Sequence, residues 1–401
     1  MHILSQKNKE EFLVTPQLIR FDHSYGNGEY ESRLLIKGST LLLKYIALKT
    51  KIELLVTSID DRLLYALRIW DDIEHPISIW SILEREEEKE ALIALAKEGV
   101  CQLLLFNELG ISTAWKSVEV KKSEELFKLV YNCQVGPIKQ DEFKGKVSQM
   151  LEEELLNQKN RFIVLNIDND DKWKFIHSTY ISNQLNESSI HLSEDVEGYH
   201  QEELALWLID NIHPKGAYHS PQINKKTGKE EFTDLLLTYC NGCFLFESKA
   251  LSVLRRKSLP NQVNLAKRLG KHIEKAIKQL KRAVQQLELG TPIYSISGDE
   301  VSVERTRPAH CLIVVSELAL VPKTNMIGLD AVKNFMISTN AYIHLVDPSE
   351  LMRIVQAANI IHSKNSNISK IEAFDFYLLE RAKMAVEKET LNIQVVLKTE
   401  K

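Results

Sequence analysis

The clearest pattern of apolar and polar positions lies in the second half of the chain. Apolar runs at Leu235–Tyr239 and 244–246 flank Asn241-Gly242, a dipeptide that favours a two-residue hairpin turn. A type I′ turn there pairs Cys240 with Cys243, and counting back pairs Asp234 with Lys249. Side chains alternate along a strand and directly opposed residues share a face. Asp234, Glu247 and Lys249 are therefore expected together on one face, at the open end of the hairpin.

The same reading applied from the N-terminus gives a mixed α/β region over residues 1–190. Its apolar, strand-like runs are 33–36, 41–46, 52–56, 63–70, 101–106 and 115–120. Helical spacing marks 84–97, with Ala91, Leu92, Leu95 and Ala96 on one stripe, then 124–130 behind the N-cap candidate Ser123, and 143–158. Residues 161–167 and 173–177 read as a hairpin around an acidic turn, 168–171. That turn lacks the Gly and Glu of an EF-hand loop, since Trp173 and Thr179 occupy those places. The polar stretch 182–195 reads as a linker. Beyond it come a helix (199–212), a strand (218–223), a polar loop (224–231), the hairpin and a long helix (263–287). A strand (310–316), a helix (329–337), a strand (342–346), a helix (349–358), a helix (369–388) and a last strand (393–398) follow.

Composition narrows the class without naming it. A chain of 401 residues with 44% hydrophobic and 26% charged content is ordinary for a globular protein and allows two or three domains. The net charge of −4 means that any polyanion binding must come from a local patch. No apolar run approaches the length of a membrane span, and the first residues do not read as a secretory signal. Five cysteines suggest reduced thiols in a cytoplasmic protein. Cys240 and Cys243 form one C-x-x-C without a second pair, which reads as two neighbours beside a turn rather than a zinc site. No G-x-x-x-x-G-K-[ST] loop, G-x-S-x-G elbow or H-x-x-x-H pair is present.

Two carboxylates and a lysine on adjacent strands can hold a divalent cation and position a water. The spacing of Asp234 from Glu247-Ser248-Lys249 resembles the PD-(D/E)xK, or restriction-endonuclease-like, superfamily. Thr233 stands where that motif has its proline. The resemblance covers residues 196–360, whose α-β-β-β-α-β order is that of the superfamily core; the fold expected is an α/β nuclease domain over 195–401 behind an N-terminal mixed α/β domain. By resemblance, Asp234, Glu247 and the Ser248 carbonyl would ligate Mg²⁺ or Mn²⁺, an oxygen-only set that suits these ions. Lys249 would orient the water or the phosphate. Glu202 on the preceding helix would complete the site, with Glu203 nearer a polar edge, and Gln279 would point back from the long helix to the site or to a phosphate.

That long helix carries its own signal. Between Arg255 and Arg282 the sequence has ten Lys or Arg and one acidic residue, Glu274. Leu269, Ile273, Ala276, Ile277, Leu280, Ala283, Val284 and Leu287 form an apolar stripe, and Lys267, Lys271, Lys275, Lys278 and Arg282 lie opposite it. A basic face without matching glutamates suits a polyanion, because neutralising phosphates releases counterions. The expectation is a metal-dependent nuclease acting on nucleic acid, DNA first, as a homo-oligomer in restriction or phage defence, with residues 1–190 restraining or targeting it. The alternatives are a silent nucleic-acid-binding protein and a scaffold or sensor built on the same fold.

Overall fold

The computed structural model describes the chain except residues 1–3, 27–28, 49, 157–160, 170–171, 182–186, 194–195, 227, 252–260, 325–328, 389, 391–392 and 394–401. It divides into two compact units, one of 1–177 with 257–261 and one of 178–256 with 262–401. Among the described residues no helix is long and apolar enough to cross a membrane. The chain is α/β.

The first unit contains, in order, α1 (Gln6–Val14), β1 (Leu18–Gly26), β2 (Glu29–Lys37), α2 (Thr40–Ala47), β3 (Ile52–Ile59), β4 (Arg62–Ile69), β5 (Ile77–Ile82), α3 (Glu86–Glu98), β6 (Val100–Phe106), β7 (Ser112–Glu119), α4 (Glu124–Asn132), α5 (Lys144–Leu155), β8 (Ile163–Ile167) and β9 (Lys174–Phe175). One sheet has the order β1-β2-β6-β7-β9 and the other β5-β4-β3-β8. Ser123 caps α4 as expected, accepting from the Leu126 N–H at 3.1 Å.

Two expectations fail in this unit for identifiable reasons. Residues 41–46 are helical in α2, not a strand. A short run interrupted only by Lys44 carries no clear period to separate the two, and the caps decide: Ser39 accepts from Leu42 N–H, while Glu108 accepts from the Thr40 N–H and hydroxyl, each at 2.7 Å. Residues 161–167 and 173–177 do not pair with each other. β8 joins β3 and β9 joins β7. Asn169 holds the chain between them, donating to the Ile46 and Thr50 carbonyls and accepting from the Trp173 indole.

The second unit contains β10 (Ser178–Ile181), β11 (Glu187–Ile190), α6 (Glu197–Asp210), β12 (Ala217–His219), β13 (Gln222–Lys225), β14 (Gly228–Glu231), β15 (Leu235–Tyr239), β16 (Gly242–Lys249), α7 (Gln262–Glu288), β17 (Ile293–Tyr294), β18 (His310–Val315), α8 (Leu329–Thr339), β19 (Tyr342–Val346), α9 (Pro348–Lys364) and α10 (Lys370–Glu387). Its main sheet has the order β12-β15-β16-β18-β19, with β16, β18 and β19 parallel. Leu235, Leu236, Leu237, Phe244, Leu245 and Phe246 are all fully buried. A sheet covered on both faces takes such unbroken apolar runs, and each of these side chains contributes about 1.5–3 kcal/mol on burial.

Three connecting stretches differ from expectation. The 182–195 stretch is not wholly linker, because β11 pairs with β10; 182–186 and 194–195 lie outside the described residues. The single strand expected at 218–223 splits at Ser220-Pro221, where Ser220 has φ +45°, into β12 and β13 of different sheets. The 224–231 loop is a hairpin, β13 with β14, and β13 also pairs with β17. The strand expected at 393–398 falls outside the described residues apart from Ile393, which is buried.

At the N-terminal end of the parallel strands a buried polar chain fastens α10 to the sheet. The Tyr239 hydroxyl donates to Asp375 Oδ2 at 2.5 Å, Asp375 Oδ1 meets His310 Nε2 at 2.9 Å, and His310 Nδ1 meets His344 Nε2 at 2.9 Å. A carboxylate only accepts, so His310 donates to Asp375 from Nε2. His344 Nδ1 is left buried without a hydrogen-bond partner. Burial, with the nearby His310 and Arg381, holds the His344 pKa well below the ordinary imidazole value. His344 is thus neutral when folded, whereas the unfolded chain takes up its proton below about pH 6.5. Its contribution to stability is present above that pH and is lost as the pH falls. We expect amide exchange at 343–346, corrected for intrinsic rates, to speed up from pH 7 to pH 5. His344→Gln should show a smaller acceleration over the same range; an equal one would remove His344 as the cause.

Candidate functional site

The hairpin brings the three expected residues together, in a different register. Tyr239 pairs with Gly242 and Leu235 with Phe246, so Cys240 and Asn241 form the turn. Continuing one step sets Asp234 against Glu247 rather than Lys249, and Cys243 pairs with Thr238, not with Cys240. A slip of two residues leaves every side chain on its expected face, because strand periodicity is two. None of Cys240, Asn241 or Gly242 has a positive φ, so this is no type I′ turn. Gly242 serves space instead: a Cβ there would lie 3.2 Å from the Tyr239 ring.

Asp234 lies just before β15. Its Oδ2 accepts from the Ser248 N–H at 2.6 Å and receives Lys249 Nζ at 3.4 Å. Lys249 Nζ also donates to Glu247 Oε2 at 2.7 Å. The other oxygens, Asp234 Oδ1 and Glu247 Oε1, take no hydrogen bond from the described residues. Glu247 is almost fully buried, at 1% exposure. Burial and the Asp234 charge push its carboxyl up to about 7, and burial likewise raises Asp234. For Lys249, burial alone would lower the pKa, but the Asp234 and Glu247 carboxylates outweigh it and raise the value. Lys249 is therefore a fixed cation here and not a ready base. One ammonium faces two carboxylates, so the cluster has room for further positive charge.

Sequence reasoning passed over the residues that hold these strands in place. Gln201, buried on α6, donates to Ser248 Oγ at 3.0 Å and to the Val314 carbonyl at 2.8 Å, and accepts from Ser316 Oγ at 3.2 Å. It thereby ties the ends of β16 and β18 to α6. Thr233, standing in the motif's proline position, donates to the Phe246 carbonyl at 2.7 Å. An amide within an apolar helix face was the available signal for Gln201.

The neighbouring candidates are placed as follows. Glu202 and Glu203 both flank His219, Glu202 Oε2 at 3.3 Å from Nε2 and Glu203 Oε1 at 3.8 Å from Nδ1. The polar-edge expectation for Glu203 is corrected: it is the more buried of the two, because α6 turns that side toward the sheet. The hydrogen bond to Glu202, opposed by burial and helped by Glu203, raises the His219 pKa. Glu202 acts on Asp234 through its charge without a hydrogen bond to it. Gln279 reaches none of Asp234, Glu247 and Lys249, and its Oε1 is enclosed without a partner. His272, on the same side of α7, lies nearer: burial and the Lys249 charge lower its pKa. Lys267, Lys271, Lys275, Lys278 and Arg282 are all exposed on α7, with Arg282 ion-paired to Glu230.

Among the described residues no three His, Cys, Asp or Glu side chains stand close enough to hold a metal unaided. The donor chemistry nonetheless fits a hard cation, since two buried carboxylates each keep one oxygen clear of protein hydrogen bonds. No family model, no curated protein and no solved structure matches the chain.

The electrostatics generate a direct test. The folded protein holds the Glu247 proton more tightly than the unfolded chain does. That group therefore favours folding fully below the unfolded carboxyl value, and its contribution is lost as pH rises through about 7. Carboxyl NMR should show a Glu247 midpoint near 7, lowered in Asp234→Asn and raised in Lys249→Met. A Glu247 midpoint in the ordinary carboxylate range would contradict the geometry. Separately, Gln201→Ala should cost about 1–3 kcal/mol in denaturant unfolding, because buried partners are left unpaired.

Proposed function

We propose that the second unit is a PD-(D/E)xK-like phosphodiesterase domain and that the protein is a metal-dependent nuclease. The observation that carries this reading is the convergence of Asp234, Glu247 and Lys249 at one end of β15 and β16. The order α6-β12-β15-β16-α7-β18 supports it, as does a basic face on the helix that follows the Lys249 strand. Asp234 and Glu247 would hold Mg²⁺ or Mn²⁺, with the Ser248 carbonyl as a further ligand. Such a cation lowers the pKa of a bound water and stabilises charge on a scissile phosphate.

The chain's own groups have separable tasks. Asp234 is fixed by the Ser248 N–H, so its second oxygen is oriented without searching. Lys249, held protonated by its carboxylate neighbours, places a positive charge where an attacking water or a phosphate oxygen would sit. Gln201 keeps Ser248, and with it both flanking residues, in register. The exposed lysines of α7 carry the backbone of a polyanionic substrate. DNA in restriction or phage defence, a homo-oligomeric assembly and a restraining role for residues 1–190 belong to the same proposal.

A silent nucleic-acid-binding fold is the second reading. It is favoured by the pairing of Lys249 with both carboxylates, which neutralises part of the cluster. A cleavage panel of plasmid, linear and single-stranded DNA and RNA with Mg²⁺ or Mn²⁺ separates the two. Asp234→Ala and Lys249→Ala should each lower cleavage about a hundredfold or more while staying folded; metal affinity should fall only in Asp234→Ala. Folded variants cutting at the wild-type rate would remove the assignment. Reversing Lys271, Lys275 and Lys278 to Glu should weaken binding to all sequences alike and flatten its salt dependence. Unchanged affinity would turn the helix toward some other partner.

A further inference from the structure

The β13–β14 hairpin, which looks like a polar loop in the sequence, grows directly out of the Asp234 strand. At its root the Phe232 N–H donates to the Pro221 carbonyl at 2.7 Å and the Ser220 N–H to the Asp234 carbonyl at 2.8 Å. Glu231, the last residue of β14, stands three residues before Asp234. One end of the hairpin therefore adjoins the carboxylate cluster.

Beyond its root, the hairpin pairs with β17 and meets α7 through one ion pair. Ile223 is buried and pairs with Glu230. Glu230 is ion-paired to Arg282 of α7 and to Lys225 of its own hairpin, so two cations offset its charge. The opposite face carries Asn224, Lys229 and Glu231, all exposed, with exposed Lys226 beside the turn. On α7, Lys267, Lys271, Lys275, Lys278 and Arg282 fall within a sector of about 80° at 3.6 residues per turn. Arg282 belongs to that stripe, so the hairpin borders it. From Lys271 to Arg282 the stripe runs about 16 Å, the length of about five nucleotides of one duplex strand.

We propose that this hairpin is the second wall of a phosphate track. Lys226 and Lys229 on the hairpin, and the lysine stripe of α7, grip the backbone of one nucleic acid as it enters the Asp234, Glu247 and Lys249 cluster. The proposal rests on the phosphodiesterase reading of that cluster. Glu231 ends the track at its site end, where a carboxylate repels phosphate.

The test measures binding of the full chain to labelled duplex DNA, single-stranded DNA and RNA of two unrelated sequences across a salt series. EDTA is present so that nothing is cut. Lys226→Glu with Lys229→Glu should weaken binding equally for both sequences and lower the slope of log affinity against log salt by about 1.8 for a duplex, at about 0.9 for each phosphate no longer neutralised. Arginine at both positions should retain wild-type affinity and slope, and Lys364→Glu, at the exposed end of α9, should change neither. A hairpin double variant with wild-type affinity and slope, alongside a weakened α7 triple variant, overturns the hairpin and leaves the reading of the site standing. A wild-type chain with no salt-dependent affinity for any probe overturns both.

Discussion

Two carboxylates and one ammonium share the buried end of the hairpin, and their charge balance constrains everything around them. Glu247 lies almost wholly out of water, where an unpaired charge is untenable. It is tolerated because Lys249 donates to it and because its own carboxyl takes a proton at unusually high pH. Asp234 is tolerated through the Ser248 N–H and the same lysine. Removing Lys249 would leave two like charges enclosed together, which is why its substitution is expected to alter proton affinity as well as turnover.

The remainder of the second unit keeps that cluster in register. Phe244, Leu245 and Phe246 fix β16 in the sheet by burial on both faces. Gln201 then joins β16, β18 and α6 at the end where the charges lie. At the other end of the same strands the chain from Tyr239 to His344 fastens α10. The two ends answer acidification in opposite directions. Protonating Glu247 favours the folded state, whereas protonating His344 opposes it.

Much of the element pattern was legible because each segment advertised one period. The 342–346 strand was legible as a short apolar run, and the helix behind Ser123 from its cap. The 41–46 segment, apolar but for Lys44, has no clear period, and besides the Ser39 cap the contacts that decide it come from Glu108, far along the chain. Asn169 shows the same limit: its amide sends two strands into different sheets, and nothing local to it announces that.

For the candidate site, the sequence by itself determined which residue types share a face. Alternation is a local property and survives even the two-residue slip between the expected and observed turns. Only the tertiary structure decided which atoms meet. The orientation of Ser248 depends on an amide from another helix, and the burial of Glu203 depends on how α6 turns against the sheet. These are contacts between segments distant in sequence, and no pattern along the chain encodes the distance between them.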